Sequence, residues 1–369
     1  MNDDRIATLR SPKGSLVSVY VDRPSPGGFA ALLADLLKPI RERAESLDRE
    51  VRLAVRSDVE RIRDLAEKLE VDSAPAYAVF ASELDEVFIV EPLTTPVIDF
   101  ATLGTRPYHR PLRAVPRPLR SAILVADRGL ARTFVGFQGL VDELGKPLRA
   151  DLGKSNFGGF SGYEEHGVRA HAEVEANRIW KEAGSRLLEA HQDRRFDYLA
   201  IGSQEETVED IARTLHPYLA RLQRTSFVAN PHTLTMPGLR TEIALLDAAV
   251  RRERQETLAG RVCETAWSGG NAVLGLTPTL EAANAQAVDT LAVAGWFMRP
   301  GTLCEECGFL ARDGETCAVC GAPVFSADDV VGALMDAVVS AGGSVHQIEV
   351  ASPLDRYGVG ALTRFPVGD

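Results

Sequence analysis

The sequence lacks a long hydrophobic run. No stretch approaches the roughly 18 apolar residues that a membrane-spanning helix needs. The opening residues, MNDDRIATLR, hold neither an apolar segment nor a cleavage-like site. We therefore expect no contact with a membrane and a cytoplasmic location.

Cysteine is scarce, and its distribution is uneven. The chain has five cysteines, and four of them lie within residues 304–320. A secreted disulfide framework would spread paired cysteines over a small domain, whereas a tight cluster is typical of a metal site in a reducing compartment. The isolated Cys263 is expected to be a core thiol rather than a nucleophile.

The sequence also has no excess of positive charge. The formal net charge is −11 over 369 residues, which excludes a generally basic nucleic-acid coat. A local basic patch can still bind RNA, because the field that matters acts within a Debye length of about 10 Å. At roughly 100–200 residues per domain, the length predicts two or three domains.

The hydrophobic pattern predicts three α/β domains. The first, residues 1–105, has a β-branched run at 15–21, helical periodicity over 28–70, and strands at 76–82 and 86–93. The middle domain, residues 121–268, opens with a hairpin around a DRG turn. Its further predicted elements are a helix over 168–191, a strand over 196–203 and helices over 208–222 and 236–266.

The last domain, residues 269–369, alternates helix and strand around the cysteine cluster. A helix near Thr279 leads into the strand TLAVAGWF, and a later helix ends at Gly342-Gly343 before two further strands. This order predicts an α/β/α sandwich with an inserted zinc knuckle.

Residues 106–120 form an arginine- and proline-rich linker between the first two predicted domains. The stretch TRPYHRPLRAVPRPLR holds four prolines and five arginines in 16 residues, and proline disfavours helix at the residue before it. We expect extended chain. It is either a solubilising linker or a strip that contacts phosphate, with Tyr108 and His109 available to stack. The candidate RNA-binding residues here are Arg106, Arg110 and Arg113.

Two CxxC pairs form the cysteine cluster. Cys304 and Cys307 are followed by Gly308, and Cys317 and Cys320 by Gly321. Four thiolates at this spacing give a closed tetrahedral zinc site, so we expect structural rather than catalytic Zn²⁺. The alternatives are four unrelated buried thiols or two disulfides.

A glycine-rich loop precedes the long helix of the middle domain, in the stretch GKSNFGGFSGYEEHG. It lacks the GxxxxGK[ST] spacing of a phosphate-binding loop and the GxGxxG fingerprint of a dinucleotide site. Ser161 with His166 or His171 could be a fragment of a catalytic triad, although no third group is evident. The loop could also be an ordinary surface loop.

The order of these segments resembles the archaeo-eukaryotic class-one release factors and their relative Pelota. AILVADRGLARTFVG (122–136) looks like the hairpin that opens the family's middle domain. GLTPTLEAANAQAVDTLAVAG (275–295) is similar to a helix and strand of its last domain, and GVGALTRF (358–365) to its closing strand. The resemblance covers about 250 residues and is loosest in the first domain.

The catalytic motif of that family is altered here. Release factors carry Gly-Gly-Gln, and the glutamine positions water at the peptidyl-tRNA ester. The matching residues in this chain are Gly158, Gly159 and Phe160, followed by Ser161. Phenylalanine cannot orient water, and no match to the Asn-Ile-Lys-Ser stop-codon motif occurs. The resemblance therefore implies no catalytic residue and no enzyme.

A bacterial branch of the family, made up of ribosome hibernation factors, fits these departures better. It implies a 70S ribosome-binding protein in the A site, with rRNA and P-site tRNA nearby and a translational GTPase such as elongation factor Tu as a candidate partner. The first domain would face the decoding centre, and the loop would reach toward the peptidyl-transferase centre. The loop residues expected to contact RNA are Lys154, Phe157, Gly158, Gly159, Phe160, Ser161, Tyr163 and Arg169.

Two other functions stay open from the sequence. One is a peptidyl-tRNA hydrolase in which Ser161, Glu164, Glu165 or His166 replaces the glutamine. The other is a Pelota-like rescue factor that recruits a GTPase and promotes subunit splitting.

Overall fold

The computed structural model describes Ile6 and residues 9–108, 110–113, 118–151 and 163–367; for Arg113 and residues 163–169 it describes the backbone only. The chain forms two compact units. One combines residues 1–116 with 255–369, and the other is 117–254. The predicted mixed α/β fold is confirmed.

The first region of the chain is a four-stranded antiparallel sheet covered by three helices. Its elements are β1 (Leu16–Asp22), α1 (Phe29–Ala44), α2 (Arg49–Arg63), α3 (Ala66–Val71), β2 (Ala76–Ser82), β3 (Val87–Leu93) and β4 (Phe100–Gly104). The strand order is β3-β2-β1-β4. Alternation in β1 sends Val17, Val19 and Val21 into the core under the helices, while Tyr20 faces the other side.

The second face of this sheet is covered in part by the arginine- and proline-rich stretch. Tyr108 and Leu112 pack with Tyr20 and Phe80. Residues Arg110–Arg113 form a short helix, α4. The expectation of extended chain throughout this stretch is wrong at that turn, because Pro111 lies at the start of the helix, where its missing N–H costs nothing.

A carboxylate is buried in the first region. The side chain of Asp58, in α2, has no exposed surface. It accepts a hydrogen bond from the backbone N–H of Glu83 at 2.8 Å and lies 3.3 Å from Arg61. Burial outweighs these contacts and raises the pKa of Asp58 to about 6.

Replacing Asp58 with asparagine should therefore stabilise the folded protein, relative to wild type, more at neutral pH than at acid pH. The folded state holds the Asp58 proton more tightly than the unfolded chain, so the wild type loses stability as the pH rises from about 4 to about 6. Asparagine cannot ionise. The free energy of unfolding of D58N, relative to wild type, should rise by about 2 kcal/mol between pH 4 and pH 7. Urea unfolding at both pH values measures this, and a pH-independent difference would contradict it.

The second unit is built on a mixed sheet. Its elements are β5 (Arg120–Ala126), β6 (Leu130–Phe137), β7 (Leu140–Glu143), β8 (Leu148–Arg149), α5 (Tyr163–Asp193), β9 (Tyr198–Ser203), α6 (Glu205–Thr214), α7 (Pro217–Ala220), β10 (Gln223–Val228) and the first part of α8 (Met236–Trp267). The strand order is β10-β9-β5-β6-β7, with β8 paired to β6; β10, β9 and β5 are parallel.

Helices cover both faces of that sheet. Ile179, Ala183 and Leu187 of α5 pack on one face, and Leu239 and Ile243 of α8 on the other. The single helix expected over 208–222 is two helices, because Pro217 begins α7 after a break at Leu215 and His216.

The last region is an α/β/α arrangement with a small inserted sheet. Its elements are β11 (Ala272–Leu274), α9 (Leu276–Asn284), β12 (Val288–Ala294), β13 (Gly301–Leu303), β14 (Leu310–Ala311), β15 (Phe325–Ala327), α10 (Val330–Ser340), β16 (Ser344–Ile348) and β17 (Val359–Thr363). The main sheet runs β11-β17-β12-β16, and the small sheet β14-β13-β15.

The end of α8 supplies one layer of this arrangement. Ala259, Val262 and Cys263 pack against the main sheet, and α9 and α10 cover its other face. The boundary between the two compact units, at residues 254 and 255, therefore falls inside α8. The three predicted domains, 1–105, 121–268 and 269–369, stay a prediction. Cys263 is fully buried, as expected of a core thiol.

None of the helices in the described part of the chain combines the length and the apolar character that crossing a bilayer requires.

Candidate functional site

Four cysteines converge on one point in the small inserted sheet, here called the cysteine knuckle (residues 301–327). The sulfur atoms of Cys304, Cys307, Cys317 and Cys320 all lie within 4.8 Å of one another. Cys304 Sγ lies 3.5 Å from Cys320 Sγ, and Cys307 Sγ lies 3.5 Å from Cys317 Sγ. All four are free thiols. The structure thus brings the four predicted ligands together, and they do not form the alternative pair of disulfides.

The backbone around each pair has the same shape. The N–H of Gly308 donates to the carbonyl of Cys304 at 2.8 Å, and the N–H of Gly321 donates to the carbonyl of Cys317 at 3.0 Å. Both glycines have a left-handed φ, +76° and +73°. A residue with a Cβ would be strained there, which explains why glycine follows each CxxC.

The cluster fits a tetrahedral metal. With metal–sulfur bonds of about 2.3 Å, neighbouring sulfurs of a tetrahedron lie about 3.8 Å apart, close to the observed spacing. Hydrogen bonds from the backbone N–H groups of Cys320 and Val319 favour the thiolate and lower the pKa of Cys317 to about 6. These four residues could hold a metal ion, and with four sulfur ligands they leave no open position for a substrate.

The long helix α5 is the second feature of interest. It has 31 residues, which corresponds to about 46 Å. The indole N–H of Trp180 donates to the carbonyl of Asp127 at 2.9 Å, at the point where β5 ends. From Ala176 onward the helix buries a stripe of side chains in the core, whereas between Ala170 and Glu175 none is buried. The C-terminal half is therefore the anchored half.

The chain that leads into the predicted loop is fixed beside α5. The backbone N–H of Asp151 donates to Glu175 at 2.9 Å, and His171 Nε2 lies 3.3 Å from the Asp151 carbonyl. The helix begins at Tyr163, about 18 Å further along its axis than Glu175. Lys154, Phe157, Gly158, Gly159, Phe160 and Ser161, the predicted RNA-binding residues, lie outside the described residues, as do the side chains of Tyr163 and Arg169.

The predicted phosphate-binding arginines have partners within the protein. Arg106 pairs with Glu305 at 2.8 Å, and Arg110 pairs with Asp329 at 3.0 Å. Arg113 ends α4, and its side chain lies outside the described residues. Phosphate binding by these arginines stays a prediction. In this structure the guanidinium groups of Arg106 and Arg110 are paired with carboxylates.

The sequence patterns do not predict one pair of polar residues that the fold brings together. His232 Nε2 lies 3.0 Å from Asp127 Oδ2, at the carboxyl edge of the parallel strands. The other carboxylate oxygen of Asp127 accepts the N–H groups of Gly129 and Leu130, at 2.8 and 2.7 Å. This holds the carboxylate toward the imidazole. The DRG turn was visible in the sequence, but nothing in it pointed to a histidine about 100 residues away.

Charge is distributed unevenly along the chain. Residues 255–369 contain 14 acidic residues, five arginines and no lysine. Residues 117–254 contain 20 basic and 19 acidic residues. An RNA surface would therefore repel the last region far more than the second unit. This difference in charge between the two regions can be counted from the sequence alone.

No protein-family model and no curated protein matches this chain. Several solved structures are similar. Archaeal Pelota, from a model of its ribosome-bound state with ABCE1, is 16% identical, with 96% of this chain and 90% of that chain covered and a TM-score of 0.42.

Two further structures are similar over most of the chain. Dom34 of S. cerevisiae, a translation termination-like factor, is 13% identical, with 79% of this chain and 81% of that chain covered and a TM-score of 0.41. The archaeal translation termination factor aRF1 is 14% identical, with coverages of 98% and 96% and a TM-score of 0.27.

Proposed function

We propose that this protein is a ribosome-binding factor of the hibernation or stress type, which occupies the A site and does not hydrolyse peptidyl-tRNA. One observation carries the proposal. In the sequence the Gly158-Gly159 pair comes shortly before a 31-residue helix, and the C-terminal half of that helix packs on a sheet. The motif order resembles class-one release factors, and Phe160 stands where hydrolysis needs glutamine. We infer from these departures a resemblance to the bacterial ribosome hibernation factor Balon.

The geometry of the second unit supports this role. The helix α5 is anchored by Trp180 and its buried stripe, so its N-terminal end is held by a rigid element some 25 Å from that anchor. A probe carried in this way could enter a narrow RNA channel while its domain stays outside. Phe157 and Phe160 would offer faces on which bases stack, and the two glycines would permit close approach of the backbone.

We propose that the metal in the cysteine knuckle is zinc. Four thiolate ligands select zinc or an iron–sulfur cluster, and the two-plus-two arrangement on paired turns is common in structural zinc sites. The zinc would supply a fixed crosslink between the two CxxC turns and no reaction chemistry.

The charge distribution bears on the partners. The second unit, with 20 basic and 19 acidic residues, would face rRNA and P-site tRNA in the cytoplasm, while the acidic last region would face protein. A translational GTPase such as elongation factor Tu is the candidate partner that the motif resemblance implies, and we propose the acidic last region as its surface.

The proposal is tested first by co-sedimentation with 70S ribosomes. We expect binding without release of labelled peptide from peptidyl-tRNA. The double variant F157S/F160S should bind at least about tenfold more weakly, because each stacked base contributes about 1–3 kcal/mol. The matched control is F365S, which changes a half-exposed phenylalanine in the acidic last region. Equal binding by all three proteins would remove the loop from the interface.

Other outcomes identify the competing functions. Peptide release that is lost on S161A or H166A substitution would indicate a peptidyl-tRNA hydrolase. Splitting of 70S particles in the presence of a GTPase would indicate a Pelota-like rescue factor, whereas a hibernation factor should protect the particle. Failure to bind idle or stalled 70S ribosomes would refute the proposed class altogether, and a cryo-EM map of the complex would locate the loop.

A further inference from the structure

Two regions far apart in the sequence form one compact unit without a shared apolar core. Among the described residues, each buried hydrophobic cluster of this unit draws its members from either the first region or the last region, never from both. A cleft of about 360 Å³ lies between the two regions. The contact between them is therefore mainly polar, and it consists of two distinct parts.

The inner part is buried. Asp329 accepts hydrogen bonds from the Tyr108 hydroxyl at 2.8 Å and from Arg110 at 3.0 Å. Arg110 also donates to the carbonyls of Ala294 and Gly295, at 3.3 and 3.2 Å. The side chain of Arg110 is 6% exposed and that of Asp329 is fully buried. Asp329 caps helix α10, so the main core of the last region holds this part in place.

The outer part is held by the cysteine knuckle. Arg106 makes three hydrogen bonds to Glu305, which also accepts the Thr105 hydroxyl. Arg43 makes two bonds of 2.7 Å to Asp328 and one of 3.0 Å to the carbonyl of Ser326. These side chains are about a quarter to two-fifths exposed, so the pairs depend on accurate positioning of the carboxylates.

Both carboxylates are connected to the small sheet of the knuckle. Glu305 lies between the ligands Cys304 and Cys307, and Asp328 directly follows β15 and precedes Asp329, which caps α10. The sheet is made of strands of two or three residues. Leu303 and Leu310 anchor β13 and β14 in the core of the last region, whereas the two CxxC turns carry the exposed Cys307 and Cys320. We therefore attribute the link between the two turns to the metal.

We propose that the metal centre acts as a tether for the first region of the chain. Metal bound by the four cysteines fixes Glu305 and Asp328 where Arg106 and Arg43 can pair with them. Loss of the metal releases the pair of Arg106 with Glu305 and loosens the bonds of Arg43 to Ser326 and Asp328, whereas the inner contact at Asp329 persists because the core of the last region holds it. The knuckle thus controls how firmly the first sheet is held, in addition to stabilising its own turns.

Hydrogen exchange of the full-length protein tests the tether. Metal-loaded protein is compared with protein stripped by a chelator, and metal content is measured in parallel. Exchange should accelerate roughly fivefold or more in peptides covering residues 41–46 and 100–106, as well as throughout the knuckle. Peptides covering 108–112 should stay protected. Unchanged exchange at 100–106 after metal removal would overturn the proposal.

A pair of variants separates the tether from general loosening of the knuckle. E305Q removes the charge that holds Arg106 and should raise exchange at 100–106 while metal content stays at the wild-type level. E306Q changes the next residue of the same turn, which is exposed and has no hydrogen bond or ion pair among the described residues. It should leave exchange unchanged. Identical behaviour of the two variants would refute the role of Glu305.

Discussion

C317S should lose its metal almost completely. Structural zinc sites bind with apparent free energies of about 10–16 kcal/mol, and that energy depends on four deprotonated ligands. Backbone N–H groups lower the pKa of Cys317, and its sulfur completes the set of four ligands. Removing it should weaken binding by at least about 100-fold. Elemental analysis of the purified protein measures the metal content.

The matched control for this change is C263S. Cys263 is fully buried in a different apolar cluster and belongs to no metal-ligand group among the described residues. C263S should keep its metal and lose only a modest part of its stability. Wild-type metal content in C317S would mean that the four sulfurs do not form one site.

R110M should be the most destabilising substitution in the contact between the first and last regions. It leaves the fully buried carboxylate of Asp329 without its positive partner, and breaking a buried ion pair from one side costs about 3–5 kcal/mol. Burial raises the pKa of Tyr108, so its hydroxyl stays protonated and can still donate to Asp329, although it brings no compensating charge. Urea unfolding followed by tryptophan fluorescence measures the loss.

R43M provides the comparison for R110M. One guanidinium nitrogen of Arg43 bonds to both carboxylate oxygens of Asp328 at 2.7 Å, but the Arg43 side chain is about a third exposed, so loss of this pair should cost about 1 kcal/mol or less. The double variant R110M/D329N should recover part of the loss, because no uncompensated charge is left buried. Equal effects of R110M and R43M would contradict a buried Arg110–Asp329 pair in solution.

Local patterns made much of this molecule predictable. The strands around Val19 and Val79 are rich in β-branched and aromatic residues, and the helices α5 and α8 have long periodic stripes, so the type of each element follows from its own residues. The cysteine knuckle was equally predictable from the sequence, because all of its ligands and both of its glycines lie within 18 residues.

What the sequence did not reveal depends on partners far along the chain. The strand β10 alternates half-buried and exposed residues next to a predicted helix, and its identity depends on pairing with β9. From its sequence context alone, Arg110 cannot be distinguished from the other arginines of the proline-rich stretch. Only the fold brings it to Asp329, which is 219 residues away. A charge pattern cannot distinguish an arginine that binds RNA from one buried against a carboxylate.

The separation between Arg110 and Asp329 also affects how the chain is made. At about 5–20 residues per second, a ribosome produces Asp329 roughly 10–40 s after Arg110. Throughout that time the first sheet must persist on its own apolar core, with Arg110 still in water. The unit closes only when the last region has emerged, so its completion is a late, long-range step in folding, after every residue of the second unit has been synthesised.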